Sequence, residues 1–258
     1  MTYQTILFDL TDGQATITLN RPEVRNALNA RMRAELLDAL RRASAEARVV
    51  VLTGAGRAFC SGQDLGDGAS LGDIDLERIL RDEYEPMLQA IVDCPVPVIS
   101  AVNGAAAGAG ANLALAADVV IAAETAVFLQ AFTRIGLMPD AGGTWWLPRQ
   151  VGFPRAMGAA LFAEKVPARQ AADWGLIWEA VPADAFADHW QARARHIAIG
   201  PTMAYRAIKT ALRAAPGNDY TAQLGLEAQL QGQLGRTRDF REGVMAFLEK
   251  RAPGFEGR

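Results

Sequence analysis

Apolar and polar residues alternate over Thr5-Ile-Leu-Phe-Asp-Leu10 and again over Ala15-Thr-Ile-Thr-Leu19, with Asp12-Gly13 between them. A period of two on either side of an Asp-Gly pair predicts a β-hairpin, and Pro22 ends it. From Asn26 the apolar period lengthens, through Leu28, Met32, Leu36, Leu37 and Leu40. That spacing predicts a helix, with Asn26 as its N-cap. Val49-Val-Val-Leu-Thr53, closed by Gly54-Ala-Gly56, reads as a short buried strand. The pattern then predicts a helix over 74–92, a strand over 96–102, a glycine-led helix over 104–116, and strands over 119–122 and 126–129. After Pro148 it turns helical, over 155–163, 168–174, 184–199, 201–214, 219–234 and 238–250, punctuated by Pro154, Pro167, Pro182, Pro201 and Pro216. Strand, strand, helix with short connectors defines an α/β chain. The helical last third carries apolar faces at Trp190, Leu224, Leu230 and Phe247. Such faces fit either a cover over the α/β core or a contact between subunits.

With 258 residues, half of them apolar and 21% charged, the chain can bury a substantial core as one domain or a domain with an appendage. A net charge of −3 argues against a general nucleic-acid surface. Cys60 and Cys94 are the only cysteines and have no metal-like spacing, so a reducing compartment is expected rather than a disulfide framework. The start, Met1-Thr-Tyr-Gln-Thr-Ile, lacks the basic-then-apolar pattern of a signal peptide. Gly108, Gly110, Asn112 and Asp118 interrupt the alanine-rich stretch 105–123, which makes it a poor membrane span. The expectation is a soluble cytoplasmic protein.

Three segments carry candidate chemistry. Gly136-Leu-Met-Pro-Asp-Ala-Gly-Gly-Thr144 sets one carboxylate, Asp140, in a glycine-rich turn. Ala58-Phe-Cys-Ser-Gly-Gln-Asp-Leu65 follows a strand, and Gly62 permits a sharp turn that leaves an N–H such as that of Gln63 available. Asn103-Gly-Ala-Ala-Ala-Gly-Ala-Gly-Ala-Asn112 brings small residues to a helix start, where unpaired N–H groups favour negative charge. Two donors converging on one oxygen make an oxyanion hole, where losing one donor typically costs about 3 kcal/mol of transition-state stabilisation. Plainer readings stand beside these. Gly108 and Gly110 suit close helix packing, and Asp140 or Thr144 suits an N-cap for a helix around Trp145. The histidines, His189 and His196, fall together on one helix among charged residues, and no Gly-x-Ser-x-Gly occurs, which argues against a Ser-His-Asp hydrolase. No HExxH or CxxC indicates a metal, and the apolar neighbours of Cys60 mark a buried thiol. Gly108-Ala-Gly110 with Glu124 loosely matches a dinucleotide fingerprint, so a nicotinamide-binding protein is the rival of another class. Leu113 occupies that fingerprint's third glycine position.

In combination the segments resemble the crotonase (enoyl-CoA hydratase/isomerase) superfamily along essentially the whole chain. The resemblance is carried by Leu19-Asn-Arg-Pro22 with Asn26-Ala-Leu, Leu52-Thr-Gly-Ala-Gly, Phe59-Cys-Ser-Gly-Gln-Asp-Leu65 and Pro97-Val-Ile-Ser-Ala-Val-Asn-Gly104. It continues through Ala116-Ala-Asp-Val-Val-Ile-Ala122, Gly136-Leu-Met-Pro139, Gly142-Gly-Thr144, Leu147-Pro-Arg149 and Phe247-Leu-Glu-Lys-Arg251. It implies a spiral of ββα turns over 1–195, a helical oligomerisation region over 196–258, and assembly as a trimer or dimer of trimers. It implies an acyl-CoA substrate, no cofactor beyond the CoA that substrate carries, and no metal. The thioester carbonyl would meet the N–H groups of Gln63 and Ala109, with Leu65 beside the acyl group and Asp64 either beside it or in a turn or helix-cap role. Arg25, Phe247 and Lys250 would reach CoA, the last two in the same or a neighbouring subunit. Hydratases of the superfamily carry two glutamates, and the matching positions here are Asn112 and Phe132. Some isomerases place their carboxylate where Asp140 stands. Ser61-Gly-Gln-Asp-Leu, Ala107-Gly-Ala-Gly-Ala and Pro139-Asp-Ala-Gly-Gly-Thr-Trp-Trp look most like the phenylacetate-pathway branch. That branch converts 1,2-epoxyphenylacetyl-CoA into oxepin-CoA and shifts 3-enoyl to 2-enoyl-CoA. A 3,2-enoyl-CoA isomerase or hydratase of β-oxidation is the near alternative.

Overall fold

Asp12 and Gly13 both take positive φ, 51° and 78°, and so turn the chain tightly between β1 (Ile6–Thr11) and its antiparallel partner β2 (Gln14–Leu19). The computed structural model describes residues 2–66 and 75–258. Past the hairpin, α1 (Ala30–Glu46) is capped by Asn29, whose side chain accepts from the Met32 N–H at 2.9 Å. The cap is therefore not Asn26, which takes a left-handed φ of 58° and turns its fully buried amide inward. Next come β3 (Val49–Gly54) and β4 (Ala58–Cys60), a three-residue strand too short for its alternation to stand out. Residue 74, the expected start of the following helix, lies outside the described residues. The helix itself runs as α2 (Leu76–Ile79), a π turn over Leu80–Tyr84, and α3 (Glu85–Val92).

The second turn of the spiral is β5 (Val98–Val102), β6 (Ala105–Ala107) and α4 (Ala109–Leu115). The expected helix over 104–116 is thus a strand followed by a helix. Gly108, with φ 55° and ψ −129°, breaks the two apart in a conformation that L-residues rarely adopt. The third turn is β7 (Val119–Ala123), β8 (Val127–Leu129) and a 3-10 turn over Ala131–Ile135. It leads into α5 (Gly143–Phe162), which starts well before residue 155 and is kinked at Gly152. The chain closes with β9 (Val166–Pro167), α6 (Ala168–Asp173), β10 (Glu179–Val181), α7 (Phe186–Ala198), α8 (Thr202–Ala214), α9 (Tyr220–Leu234) and α10 (Arg238–Glu249).

The strands of each ββα turn divide between two sheets. The larger runs β1-β2-β3-β5-β7-β10, parallel from β2 onward, and the smaller runs β4-β6-β8-β9, parallel through β8. Strands such as Val49–Gly54 and Val98–Val102 are continuous apolar runs because both faces of the larger sheet are covered. One face packs with Leu36, Leu40, Met87, Ile91 and Leu113 from α1, α3 and α4. The other takes Phe186, Trp190, Ala194 and Ala198 of α7 against Val49, Val51, Ile99 and Ile121. The expected boundary at 195/196 lies within α7, whose apolar face packs on the larger sheet. Beyond Gly200, α8 is tied back by Lys209 and Arg213, which both pair with Asp118. Among the described residues no helix is long and apolar enough to cross a membrane.

Candidate active site

The smaller sheet places the site. Its parallel strands β4, β6 and β8 each end at a loop, and those loops carry Gln63, Gly108-Ala109 and Phe132 through Asp140. Ligands commonly bind at the carboxyl ends of parallel strands. Here the three loops line one cavity of about 280 Å³ together with Tyr84 and Leu80 of the π turn.

The loop after β4 is held by its neighbours' backbone groups. Leu28 N–H donates to Gly62 O at 2.8 Å, Asp64 N–H to Leu28 O at 3.2 Å, and Ser61 N–H to Arg25 O at 3.0 Å. The Asn26 amide braces the same region, donating to Ala58 O at 2.8 Å and Ala55 O at 2.9 Å. Asn26-Ala-Leu thus serves as a clamp for the donor loop. The N–H groups of Ser61 and Asp64 are engaged, while among the described residues that of Gln63 has no partner. Ala109 is the first residue of α4, where a helical N–H has no carbonyl to meet. The two segments nearly touch: a Cβ on Gly62, which has φ 94°, would lie 2.8 Å from Ala107 O and 3.4 Å from Ala109 N. Gly62 is required both by its backbone and by this approach. Gly110 has the packing role, since a Cβ there would meet Cys60 Sγ at 2.7 Å.

Among the described residues Asp140 is the only carboxylate lining the cavity. It is not the cap of α5, and neither is Thr144: the N-cap is Gly142 and no side chain caps it. The Asp140 main-chain carbonyl instead accepts from Gly143 N–H and from Asn112 Nδ2, both at 2.8 Å. The carboxylate oxygen Oδ1 is buried without a partner, and burial raises the carboxyl pKa from an ordinary 3.8 to about 6. Asn112, fully buried, spends its other end accepting from Gln130 Nε2 at 2.9 Å. Phe132 is buried along the cavity wall, its ring beside Gly108. Neither offers a carboxylate.

The remaining expectations separate. Leu65 lines the cavity, half its surface open. Asp64 does not: Arg21 pairs with it at 2.7 Å and the Gly66 N–H donates to it at 3.0 Å, which holds its pKa down against the opposing effect of burial. Its role is to hold the loop. Arg25 is exposed beside the loop and supports it through its main-chain carbonyl. Phe247, 82% exposed, lines a separate apolar groove between α8 and α10, and Lys250 ends α10 in a left-handed turn. Within one chain neither lines the Asp140 cavity. Burial pushes the Cys60 thiol up to about 12, and His189 meets Glu179 at 2.7 Å away from the cavity. Sequence reasoning missed Tyr84, Arg33 and Gln130; the π turn that delivers Tyr84 leaves no mark in a helical pattern.

Among the described residues, an apolar cavity with two unpaired main-chain donors and one half-buried carboxyl can take a carbonyl compound and move a proton beside it. Residues 10–258 match the family described as enoyl-CoA hydratase/isomerase, and the chain belongs to that family, within the crotonase superfamily of enzymes. Its relatives carry both chemistries. A probable enoyl-CoA hydratase of Rhodobacter capsulatus is 68% identical, with all of both chains covered. The 1,2-epoxyphenylacetyl-CoA isomerase of Escherichia coli is 46% identical over 98% of each. A crystal structure of an enoyl-CoA hydratase/isomerase from Mycobacterium abscessus superposes with a TM-score of 0.93 at 39% identity, over 98% of this chain and all of that one.

Proposed function

We propose that this protein is an acyl-CoA isomerase with Asp140 as its single proton carrier. The observation that carries the reading is that Asp140, half-buried, is the one carboxyl among the described residues of the cavity; by the resemblance, Asn112 and Phe132 stand where hydratases carry their glutamates. Ionised Asp140 takes a proton from carbon next to the thioester carbonyl or its vinylogue. The N–H groups of Gln63 and Ala109 hold the enolate oxygen, and protonated Asp140 returns the proton to a different carbon. Burial favours this by keeping the carboxyl's pKa near the working pH. The reaction needs no cofactor beyond the CoA of the substrate. Hydration needs a base for water as well as management of the proton on carbon, and an amide and a phenyl ring supply neither.

The E. coli relative favours a ring-bearing acyl group of the 1,2-epoxyphenylacetyl kind, and the resemblance implies 3-enoyl-CoA as a second substrate. The R. capsulatus relative favours a hydratase. Asp140→Asn tests the proton carrier: isomerisation of 3-enoyl-CoA and of the epoxide should fall by ~10²–10⁴ while CoA-ester binding is retained. A fully active variant ends the assignment. Rapid addition of water to crotonyl-CoA by the native protein would instead favour the hydratase. We also propose that the exposed apolar faces of α8 to α10 assemble a trimer or dimer of trimers, which brings Phe247 and Lys250 to a CoA held by an adjacent copy.

A further inference from the structure

Gln63 brings more to the cavity than its main-chain N–H. Its side-chain Oε1 accepts from the Tyr84 hydroxyl at 2.6 Å and from Arg33 Nη1 at 3.0 Å. A guanidinium only donates, so the amide has one possible orientation: oxygen toward Arg33, NH₂ away from it. Arg33 is itself fixed, 3% exposed and joined to Glu83 through Nη2 at 2.6 Å and Nε at 2.9 Å, with Nη1 also donating to Leu28 O at 2.7 Å. A guanidinium is costly to bury, and here three of its contacts serve to hold it against one amide. Among the described residues Gln63 Nε2 has no hydrogen-bond partner, yet it is not sealed from solvent as Asp140 Oδ1 is. It belongs to the residue that lines the cavity beside Asp140.

The wall of that space is otherwise largely hydrocarbon, from Leu65, Leu76, Ile79, Leu80, Phe132 and Leu137. A purely hydrocarbon acyl chain would leave the fixed NH₂ facing carbon. An acyl group with an epoxide, ether or carbonyl oxygen gives it an acceptor. An unmet donor in an apolar enclosure costs more than a met one gains, so a site of this kind rejects the analogue that lacks the oxygen. Building on the reading of this cavity as the acyl site, we propose that the Gln63 side-chain amide selects CoA thioesters whose acyl group carries a hydrogen-bond-accepting oxygen near the reacting carbons, over hydrocarbon acyl groups of the same shape.

Calorimetric titration of the whole protein with two saturated thioesters, tetrahydropyran-2-ylacetyl-CoA and cyclohexylacetyl-CoA, tests this without requiring turnover. The ring ether should bind about tenfold more tightly. Gln63→Leu keeps the main-chain N–H and should bring the ratio to about one, and Tyr84→Phe, which frees one side of the amide, should give an intermediate ratio. Equal affinities in the native protein overturn the proposal whether or not the variants fold, and so does an unchanged ratio in Gln63→Leu. Asp140→Asn separates the two readings. It should keep the ether preference while losing isomerisation; if it stays active, the proton-carrier assignment falls and the ether preference stands.

Discussion

On the proposed mechanism a single side chain decides how this site responds to pH. Burial raises the Asp140 carboxyl to about 6, and the group must be ionised to accept a proton. The kcat/KM for isomerisation should therefore rise through pH 6 on one acidic limb and level off above it, as a pH–rate profile will show. A flat profile from pH 5 to 8 would place the working base elsewhere. The same shift has a cost in stability, with a fixed sign. Below the ordinary value of 3.8 the group is protonated in both folded and unfolded chains and contributes nothing. Between 3.8 and about 6 the unfolded chain ionises first, and above that range the penalty on the folded state is complete. Asp140→Asn should accordingly be more stable than the native protein at pH 8 and equal to it below pH 4, measured by denaturant midpoint. Asp140 itself was legible in the sequence, because a carboxylate among glycines stands out. Its freedom from capping was not, since that depends on Asn112 reaching the Asp140 carbonyl from a helix 28 residues earlier.

Elements of the spiral were readable in proportion to their length. The hairpin, α1 and the apolar strands of the larger sheet announce themselves by period. The strands Ala58–Cys60 and Ala105–Ala107 do not, because three residues of alanine, phenylalanine and cysteine carry no period at all. Those two strands nevertheless aim the donor loops. Gly62 shows how narrow the tolerance is: Gly62→Ala would force a methyl to within 2.8 Å of Ala107 O from a backbone with φ 94°. This substitution should lower kcat by ~10²–10³, the usual effect of losing an oxyanion donor, with Asp140 untouched. Wild-type kcat in that variant would remove Gln63 and Ala109 from their proposed role. Position 112 is similarly tight. A Cβ on Gly143 would already lie 2.4 Å from Asn112 Nδ2, so Asn112→Glu has no room beneath the first turn of α5. It should weaken isomerisation by displacing the Asp140 turn, and it should not add water to crotonyl-CoA, as a hydration assay will check.

At the scale of the molecule, the last three helices leave large apolar side chains uncovered, among them Leu212 at 69%, Phe240 at 54%, Phe247 at 82% and Leu248 at 69% exposed. Such exposure is unusual for a chain that stays alone. Light scattering should give a mass three or six times that of the chain, and Phe247→Asp with Leu248→Asp should lower it and raise the KM for acyl-CoA. The sequence offered these faces without saying whether they cover the core. On that face the core proved to be covered by α7, which leaves the apolar side chains of α8 to α10 exposed. The close seat of Gly110 on Cys60 has an evolutionary consequence. It fastens the start of α4 to β4, so the pair of donors we propose for the thioester oxygen is sealed off from change. The residues we propose to choose the reaction, at 112, 132 and 140, lie outside that seal. A lineage built on this frame can exchange one chemistry for another by point substitution while its grip on the common substrate handle never lapses.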